Sequence, residues 1–257
     1  MPYTLDLSGK VAVVTGGVRG VGLGISRAFL DAGAEVIAVA RRRPDGLPPG
    51  LGFASLDVRD ATAVRDFVEG LDRLDVVVNN AGGTPYLPAA DGDPRTHAKI
   101  IELNLVAPLL VARAANAVMQ RGEGGSIIMI GSVSGVRPSP GTAAYGAAKA
   151  GLDNLTRSLA VEWAPKVRVN AVTLGMVRTE RSHLHYGDEA GIAAVERTVP
   201  LGRLADPDDA GAACVFLASD LAGYVSGSAL LLHGGGERPA FLDAANADHP
   251  SAHRENR

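Results

Sequence analysis

The sequence predicts an α/β fold in which helices cover both faces of a parallel sheet. Short runs rich in β-branched residues alternate with longer segments of helical periodicity. Most of these segments are long enough to cross from one parallel strand to the next. The chain has 257 residues, 46% of them hydrophobic, which suits a globular domain with a large core. We therefore expect one doubly wound domain with about seven strands.

Six strands and three crossover helices can be placed along the sequence. The strands are predicted at residues 11–15, 35–40, 75–79, 126–130, 167–172 and 229–232. The helices are predicted at residues 22–32, 100–120 and 144–164. Right-handed crossovers put ligand sites beyond the carboxyl ends of the strands. Functional motifs are therefore expected directly after strand ends.

Composition limits the location and the partners of the chain. The formal net charge of -3 provides no global reason to bind nucleic acid or an acidic membrane. The one cysteine, Cys214, stands among apolar residues, which predicts buried packing. Residues 1–10 lack the features of a secretion signal, and no later stretch is identified as apolar for long enough to span a bilayer. We expect a cytoplasmic protein without nucleic-acid or membrane partners.

No internal repeat or composition break indicates a second domain. We assign residues 1–236 to a dinucleotide-binding domain. Residues 237–257 form a polar C-terminal tail, whose end is expected to be poorly ordered.

A glycine-rich stretch follows the first strand and opens the first helix. Residues 15–22 read Thr-Gly-Gly-Val-Arg-Gly-Val-Gly. Glycine permits positive φ and lets the backbone approach a pyrophosphate at the positive end of the helix dipole. A tight strand-to-helix turn could have the same composition. Its place within a β-α-β unit nevertheless favours a dinucleotide site.

The end of the second strand bears on the choice of coenzyme. The group that holds the adenosine ribose is expected about 20 residues after the glycines, where the chain reads Arg41-Arg42-Arg43. Guanidinium groups bind a 2′-phosphate through forked, charge-assisted hydrogen bonds. The sequence therefore favours NADP(H), with NAD(H) possible. The alternative is that the arginines only solvate a turn before Pro44.

Three residues have a spacing suited to carbonyl chemistry. Ser132 follows a strand, and Tyr145 and Lys149 lie four apart in the next helix, which predicts an ammonium near the phenol and a lowered tyrosine pKa. Such a tyrosine can exchange a proton with the substrate oxygen. Ser132 would bond that oxygen, and Lys149 could hold the nicotinamide ribose. Alone, the tyrosine–lysine spacing also suits an ordinary amphipathic helix face.

Together these motifs resemble the short-chain dehydrogenase/reductase family over nearly the whole chain, with similarity to 3-oxoacyl-[acyl-carrier-protein] reductase-like members. The match also includes Asn79-Asn80-Ala81-Gly82 at the end of the strand predicted at residues 75–79, and Asn104. The resemblance implies a Rossmann-type fold and hydride transfer between NAD(P) and a ketone or secondary alcohol. It adds Asn104 to Ser132, Tyr145 and Lys149 as a catalytic residue, which helps to hold a water that links the lysine to solvent.

The resemblance also implies the extent of the coenzyme site. It assigns Asp57 to the adenine region, Asn80 to the support of the central sheet, and Arg19 to the basic position of NADP-using members. The full predicted set is Gly16, Arg19, Gly20, Val21, Gly22, Arg41, Arg42, Asp57, Val58, Asn80, Ala81, Gly82, Tyr145, Lys149, Val177 and Thr179. Two departures are Leu174, where the family has proline, and His233, where an aspartate is frequent.

Substrate and assembly are less determined. The segment 180–189, where the family sets specificity, is mostly polar, and His183 and His185 lack further ligands, so no metal site is predicted. The leading expectation for the small-molecule substrate is a 3-oxoacyl thioester or a steroid-like ring ketone. A sugar or polyol dehydrogenase and a non-catalytic dinucleotide-binding regulator are the alternatives. The resemblance implies a homotetramer built on helices 103–119 and 147–163 and on the last strand.

Overall fold

The sheet contains seven parallel strands in the order β3-β2-β1-β4-β5-β6-β7 in a computed structural model that describes residues 5–237 and 239–245. The strands are β1 Val11–Thr15, β2 Glu35–Ala40, β3 Leu51–Ser55, β4 Val76–Asn79, β5 Gly125–Ser132, β6 Val167–Leu174 and β7 Ala229–Leu232. The order reverses direction between β1 and β4, which is the point where doubly wound sheets bind ligands. The predicted fold is confirmed.

Helices cover both faces of this sheet. They are α1 Gly20–Asp31, α2 Ala61–Glu69, α3 Pro94–Ile101, α4 Ala107–Arg121, α5 Ala143–Glu162, α6 His183–Tyr186, α7 Glu189–Glu196, α8 Pro207–Ala218 and α9 Ala240–Ala244. On one face, Phe29 of α1 and Cys214 of α8 are fully buried in one core cluster, which confirms the packing predicted for the cysteine. On the other, α2, α4 and α5 bury Val64, Val111 and Leu152 in a second cluster.

The strand β3 was not among the six placed from the sequence. Its five residues include Gly52, and only Leu51 is buried, whereas the other four are partly buried or exposed. A short edge strand buries little apolar surface, so its hydrophobic pattern is weak. At the other end of the chain, α9 lies inside the predicted polar tail. The expected poor order at the end of that tail concerns residues 246–257, outside the described residues.

The predicted helix at 100–120 is part of a longer helical stretch with an interruption. A π-helical turn, Glu102–Val106, joins α3 to α4, and Pro94–Arg121 is long and apolar enough by composition to cross a membrane. The expectation that no stretch has this length and apolarity was therefore wrong. The physical reason for the composition is core packing, because Val111, Ala112, Ala115 and Met119 of α4 are buried against the sheet.

Candidate active site

The glycine-rich stretch forms a cradle between β1 and α1. Gly16 and Gly20 have φ values of 65° and 49°, a region that side chains rarely adopt. A Cβ on Gly22 would collide with the main-chain oxygen of Gly16. No side chain caps α1 after Arg19, and its first turn contains no acidic residue. The first N–H groups of the helix therefore remain available to an anion, which fits the pyrophosphate of a dinucleotide.

Asn80 supports this cradle from the end of β4. Its Nδ2 donates to the main-chain oxygens of Thr15, at 2.9 Å, and Gly16, at 3.3 Å. The Thr15 hydroxyl accepts from the N–H groups of Asn80 and Ala81, both at 3.0 Å. These bonds join the two strands at the point where the sheet order reverses. Gly82 follows directly and is exposed.

A second part of the predicted coenzyme site lies beyond β2 and β3. Arg41 and Arg42 are exposed, so their guanidinium groups are open to a ligand. Asp57 receives two hydrogen bonds from the Arg59 guanidinium, at 3.0 and 2.6 Å, and these bonds lower the pKa of its carboxyl to about 2. Val58 is buried. Sequence reasoning missed Arg59, although its i, i+2 spacing from Asp57 was a visible signal.

A cleft of about 830 Å³ opens beside the cradle, between α1, α8 and the segment after β6. Gly20 and Thr179 both line it, and the Thr179 methyl lies 3.5 Å from the place of a Cβ on Gly20. Val177 pairs with Ala205 in an isolated bridge. The structure therefore brings the segment after β6 up to the predicted phosphate site.

The predicted catalytic residues come from neighbouring elements. Ser132 ends β5, and Tyr145 and Lys149 lie on one face of α5. The Lys149 Nζ lies 5.5 Å from the centre of the Tyr145 ring and donates to the main-chain oxygen of Ile130 at 2.7 Å. The Ser132 Oγ accepts from the N–H of Ser134 at 3.2 Å. Its own proton is therefore free for another acceptor.

Burial shifts the pKa values of Lys149 and Tyr145. It lowers the pKa of Lys149 to about 8, an effect opposed by the negative charge of Asp153. It also raises the pKa of Tyr145 above the usual value, with the Ser132 hydroxyl acting in the opposite direction. The predicted lowering of the tyrosine pKa was therefore wrong for the coenzyme-free chain, because desolvation of the phenolate outweighs the nearby ammonium.

Asn104 lies in the π-helical turn and is fully buried. Its Oδ1 accepts from the N–H of Gly83 at 2.9 Å, and its Nδ2 donates to the oxygens of Gly83 and Ile100, both at 2.9 Å. The side-chain amide thus ties the segment after β4 to the helix. These bonds use both Nδ2 protons, so the side-chain amide has no proton left to donate to a relay water. π-Helical turns are frequent at functional sites.

A smaller cavity, of about 210 Å³, opens beyond β5, β6 and β7. Its apolar lining includes Val133, next to Ser132, together with Val136, Met176 and Leu231. Its polar lining includes Arg137 and Glu237, which form an ion pair at 2.6 Å, and His233, a departure from the family pattern. His233 also packs on Gly175, beside the other departure. Sequence reasoning missed the ion pair, whose members are 100 positions apart.

In the described part of the chain, no three His, Cys, Asp or Glu side chains lie together in an arrangement that could hold a metal. His183 and His185 belong to the short helix α6. The absence of a metal remains a prediction.

Known proteins share this fold and sequence. Residues 16–237 match the family model described as enoyl-(acyl carrier protein) reductase. A 3alpha-hydroxysteroid dehydrogenase from Mediterraneibacter gnavus is 34% identical over 89% of this chain and 97% of its own. A 2-dehydro-3-deoxy-D-gluconate 5-dehydrogenase from Pseudoalteromonas atlantica is 33% identical over 90% of this chain and 96% of its own.

A solved structure extends the comparison. A protein described as an NAD(P)-dependent gluconate 5-dehydrogenase from Beutenbergia cavernae, with NADP bound at low occupancy, superimposes with a TM-score of 0.84 at 34% identity and covers 91% of this chain and 98% of its own. The chain belongs to the short-chain dehydrogenase/reductase family and is an oxidoreductase that acts on CH–OH groups with NAD(P).

Proposed function

We propose that this chain interconverts a ketone and a secondary alcohol with NADP(H) as the preferred coenzyme. The observation that carries the proposal is the convergence of Ser132, Tyr145 and Lys149 next to the smaller cavity, whose lining includes Val133. When bound, the coenzyme supplies or accepts the hydride. The exposed Arg41 and Arg42 support NADP(H), because a guanidinium pairs well with a phosphate.

The residues divide the remaining work among them. The Ser132 hydroxyl donates to the substrate oxygen with the proton that its bond to Ser134 leaves free. Tyr145 delivers a proton to that oxygen during reduction and removes it during oxidation. Lys149 holds the nicotinamide ribose and adds positive charge beside the phenol, which favours the phenolate. Asn104 keeps the neighbouring segment in place through its three hydrogen bonds.

The smaller cavity bears on the substrate. Its apolar lining, Val133, Val136, Met176 and Leu231, favours a ring ketone or a 3-oxoacyl thioester, and the similarity to a hydroxysteroid dehydrogenase supports the ring ketone. The Arg137–Glu237 pair at its rim favours a second candidate, a sugar acid. The two relatives named for gluconate-type substrates support that candidate. We place the protein in the cytoplasm as a homotetramer.

The test is the loss of reduced-nicotinamide absorbance with NADPH, and separately with NADH, against steroid ketones, 3-oxoacyl thioesters and keto sugar acids. We expect turnover of one class, and a rate lower by about 100- to 10,000-fold in Tyr145→Phe. Tyr224→Phe is the matched control, because Tyr224 is fully exposed and outside the site; it keeps the native rate.

Coenzyme binding is measured in parallel by fluorescence titration. Native activity in Tyr145→Phe would overturn the proposed mechanism. Stoichiometric NADPH binding without turnover of any substrate would favour the non-catalytic regulator instead.

A further inference from the structure

We propose that Asp153 is a positioning residue of the active site, a buried counter-charge that maintains the ammonium form of Lys149. The inference rests on the proposed role of Lys149. Asp153 lies one helical turn after Lys149 on α5, and Arg157 lies one turn further. Side chains four apart share a helix face, so the three charges alternate in sign along one stripe that leads from the buried site to the exposed Arg157.

The surroundings of Asp153 explain how a carboxyl fits there. Asp153 is 7% exposed, and its Oδ1 has no hydrogen-bond partner among the described residues. The side chain lies over the paired residues Gly131 of β5 and Thr173 of β6. A Cβ on Gly131 would be 3.3 Å from Asp153 Oδ1 and 3.0 Å from Thr173 Oγ1, so the glycine makes room for the carboxyl.

Lys149, which leaves the same helix, contacts the neighbouring peptide of β5. Its Nζ bonds the oxygen of Ile130, the residue before Gly131. A neutral carbonyl is the only hydrogen-bond acceptor for this ammonium in the described part of the chain. A buried ammonium without a nearby negative charge tends to lose its proton. Asp153 supplies the negative charge that stabilises it.

The other charged groups near α5 do not replace Asp153. The elements packed on α5 include α3, the π-helical turn, β5 and β6. α3 carries Arg95, His97 and Lys99, the π-helical turn carries Glu102, and β6 carries Arg168. β5 has no charged residue. Burial lowers the pKa of Lys149, and the negative charge of Asp153 opposes that shift. Burial raises the pKa of the Asp153 carboxyl above its ordinary value, and the positive charges of Arg157 and Lys149 oppose that rise.

The test measures the lysine directly in the coenzyme-free full-length chain. The sequence contains four lysines, Lys10, Lys99, Lys149 and Lys166, so isotope-labelled lysine gives few NMR signals, and Lys149→Met assigns the one of interest. In Asp153→Asn the pKa of Lys149 falls by about one unit, whereas the other three lysines titrate as in the native chain. In Asp153→Glu, which keeps the negative charge, the pKa of Lys149 stays close to its native value.

The matched control is Thr156→Val, which removes a buried hydroxyl of α5 that bonds the oxygen of Leu152 at 2.8 Å. It leaves the pKa of Lys149 unchanged. An unchanged pKa of Lys149 in Asp153→Asn overturns the inference. Should that variant fail to fold, Lys149→Met reports the same coupling, because the pKa of Asp153 must then rise, and a constant value overturns the inference equally.

The holoenzyme provides a second readout. Lys149 carries its charge below its pKa and loses it above, so the loss of NADPH affinity at alkaline pH moves to lower pH in Asp153→Asn. The NMR titration needs no turnover. A failure of the proposed function therefore shows in the activity of the native chain, and a failure of this inference shows in the lysine titration.

Discussion

The coenzyme preference depends on single side chains at the end of β2. Arg59 is occupied by Asp57, whereas Arg41 is exposed. We expect Arg41→Asp to weaken NADPH binding by about 10- to 100-fold and NADH binding much less, because only NADPH has the 2′-phosphate. Fluorescence titration measures both constants. Arg65→Asp, on the exposed surface of α2, is the control, and equal losses for both coenzymes would contradict the assignment.

At this scale the sequence predicts what depends on local spacing. The Tyr145–Lys149 pair follows from helix geometry, and the structure has both on one face of α5. The direction of the Tyr145 pKa shift could not be predicted, because burial depends on elements distant in sequence. The same is true of the Arg137–Glu237 pair. Contacts of this kind depend on which strands become neighbours.

The start of β4 is tied to the start of β1 through Asp75. Its Oδ2 accepts from the N–H of Val11 at 2.9 Å and from Arg73 at 2.6 Å, and Lys10 lies 3.6 Å away. Burial raises the pKa of this carboxyl, but the bond from Arg73, the bond from Val11 and the nearby cations outweigh it, so the net pKa lies below the ordinary value.

We expect Asp75→Ala to lower the free energy of unfolding by about 2–4 kcal/mol at neutral pH. The loss arises because the Val11 N–H and two cations lose their shared partner. The pKa of Asp75 is lower in the folded than in the unfolded chain, so its charged form stabilises the folded state at a pH above the unfolded pKa. This stabilisation is lost as the pH falls through the folded pKa. The difference from the native chain therefore shrinks in acid. Denaturant unfolding at neutral and at acidic pH measures this difference. The control is Asp66→Ala at an exposed position, which should change the free energy of unfolding little. Equal losses in the two variants would refute the argument.

Elements with a strong hydrophobic pattern could be predicted from the sequence, and those with a weak pattern could not. The buried strands β1 and β4 have continuous apolar runs. The edge strand β3 does not, so its pattern was not recognised. The π-helical turn has no signature in the helical periodicity. In the structure it is marked by the bond from the Ala107 N–H to the oxygen of Glu102, and its Asn104 bonds the main chain of Gly83, 21 positions away.

For the whole molecule, the order of strands follows from general rules. Right-handed crossovers applied to alternating strands and helices permit few arrangements, and the observed order is one of them. The rules also predict that motifs after β1, β4 and β5 meet at one edge of the sheet. They cannot predict the size of the cavity beside Ser132, because its walls include residues from the segment after β7.

Large apolar side chains are exposed in two parts of the surface. They lie at Val106 and Leu109 of the helical stretch before β5, at Val161 of α5, and at Leu230 of β7. Val161 is 81% exposed, so a charged substitution there probes a contact between chains without disturbing the core. One apolar face lies on the two long helices and the other on β7. Two such faces on one chain suit a closed assembly with two kinds of two-fold interface.

We therefore expect a homotetramer with a mass about four times the 26.4 kDa of one chain. Val161→Asp and Leu230→Asp each place a charge in one interface, so each variant should dissociate to dimers, and the double variant to monomers. Light scattering after size-exclusion chromatography measures the masses. Leu184→Asp is the control, since Leu184 is exposed on α6, away from both faces. A native chain that elutes as a monomer would exclude the assembly, and dissociation by Leu184→Asp alone would relocate its interface to α6.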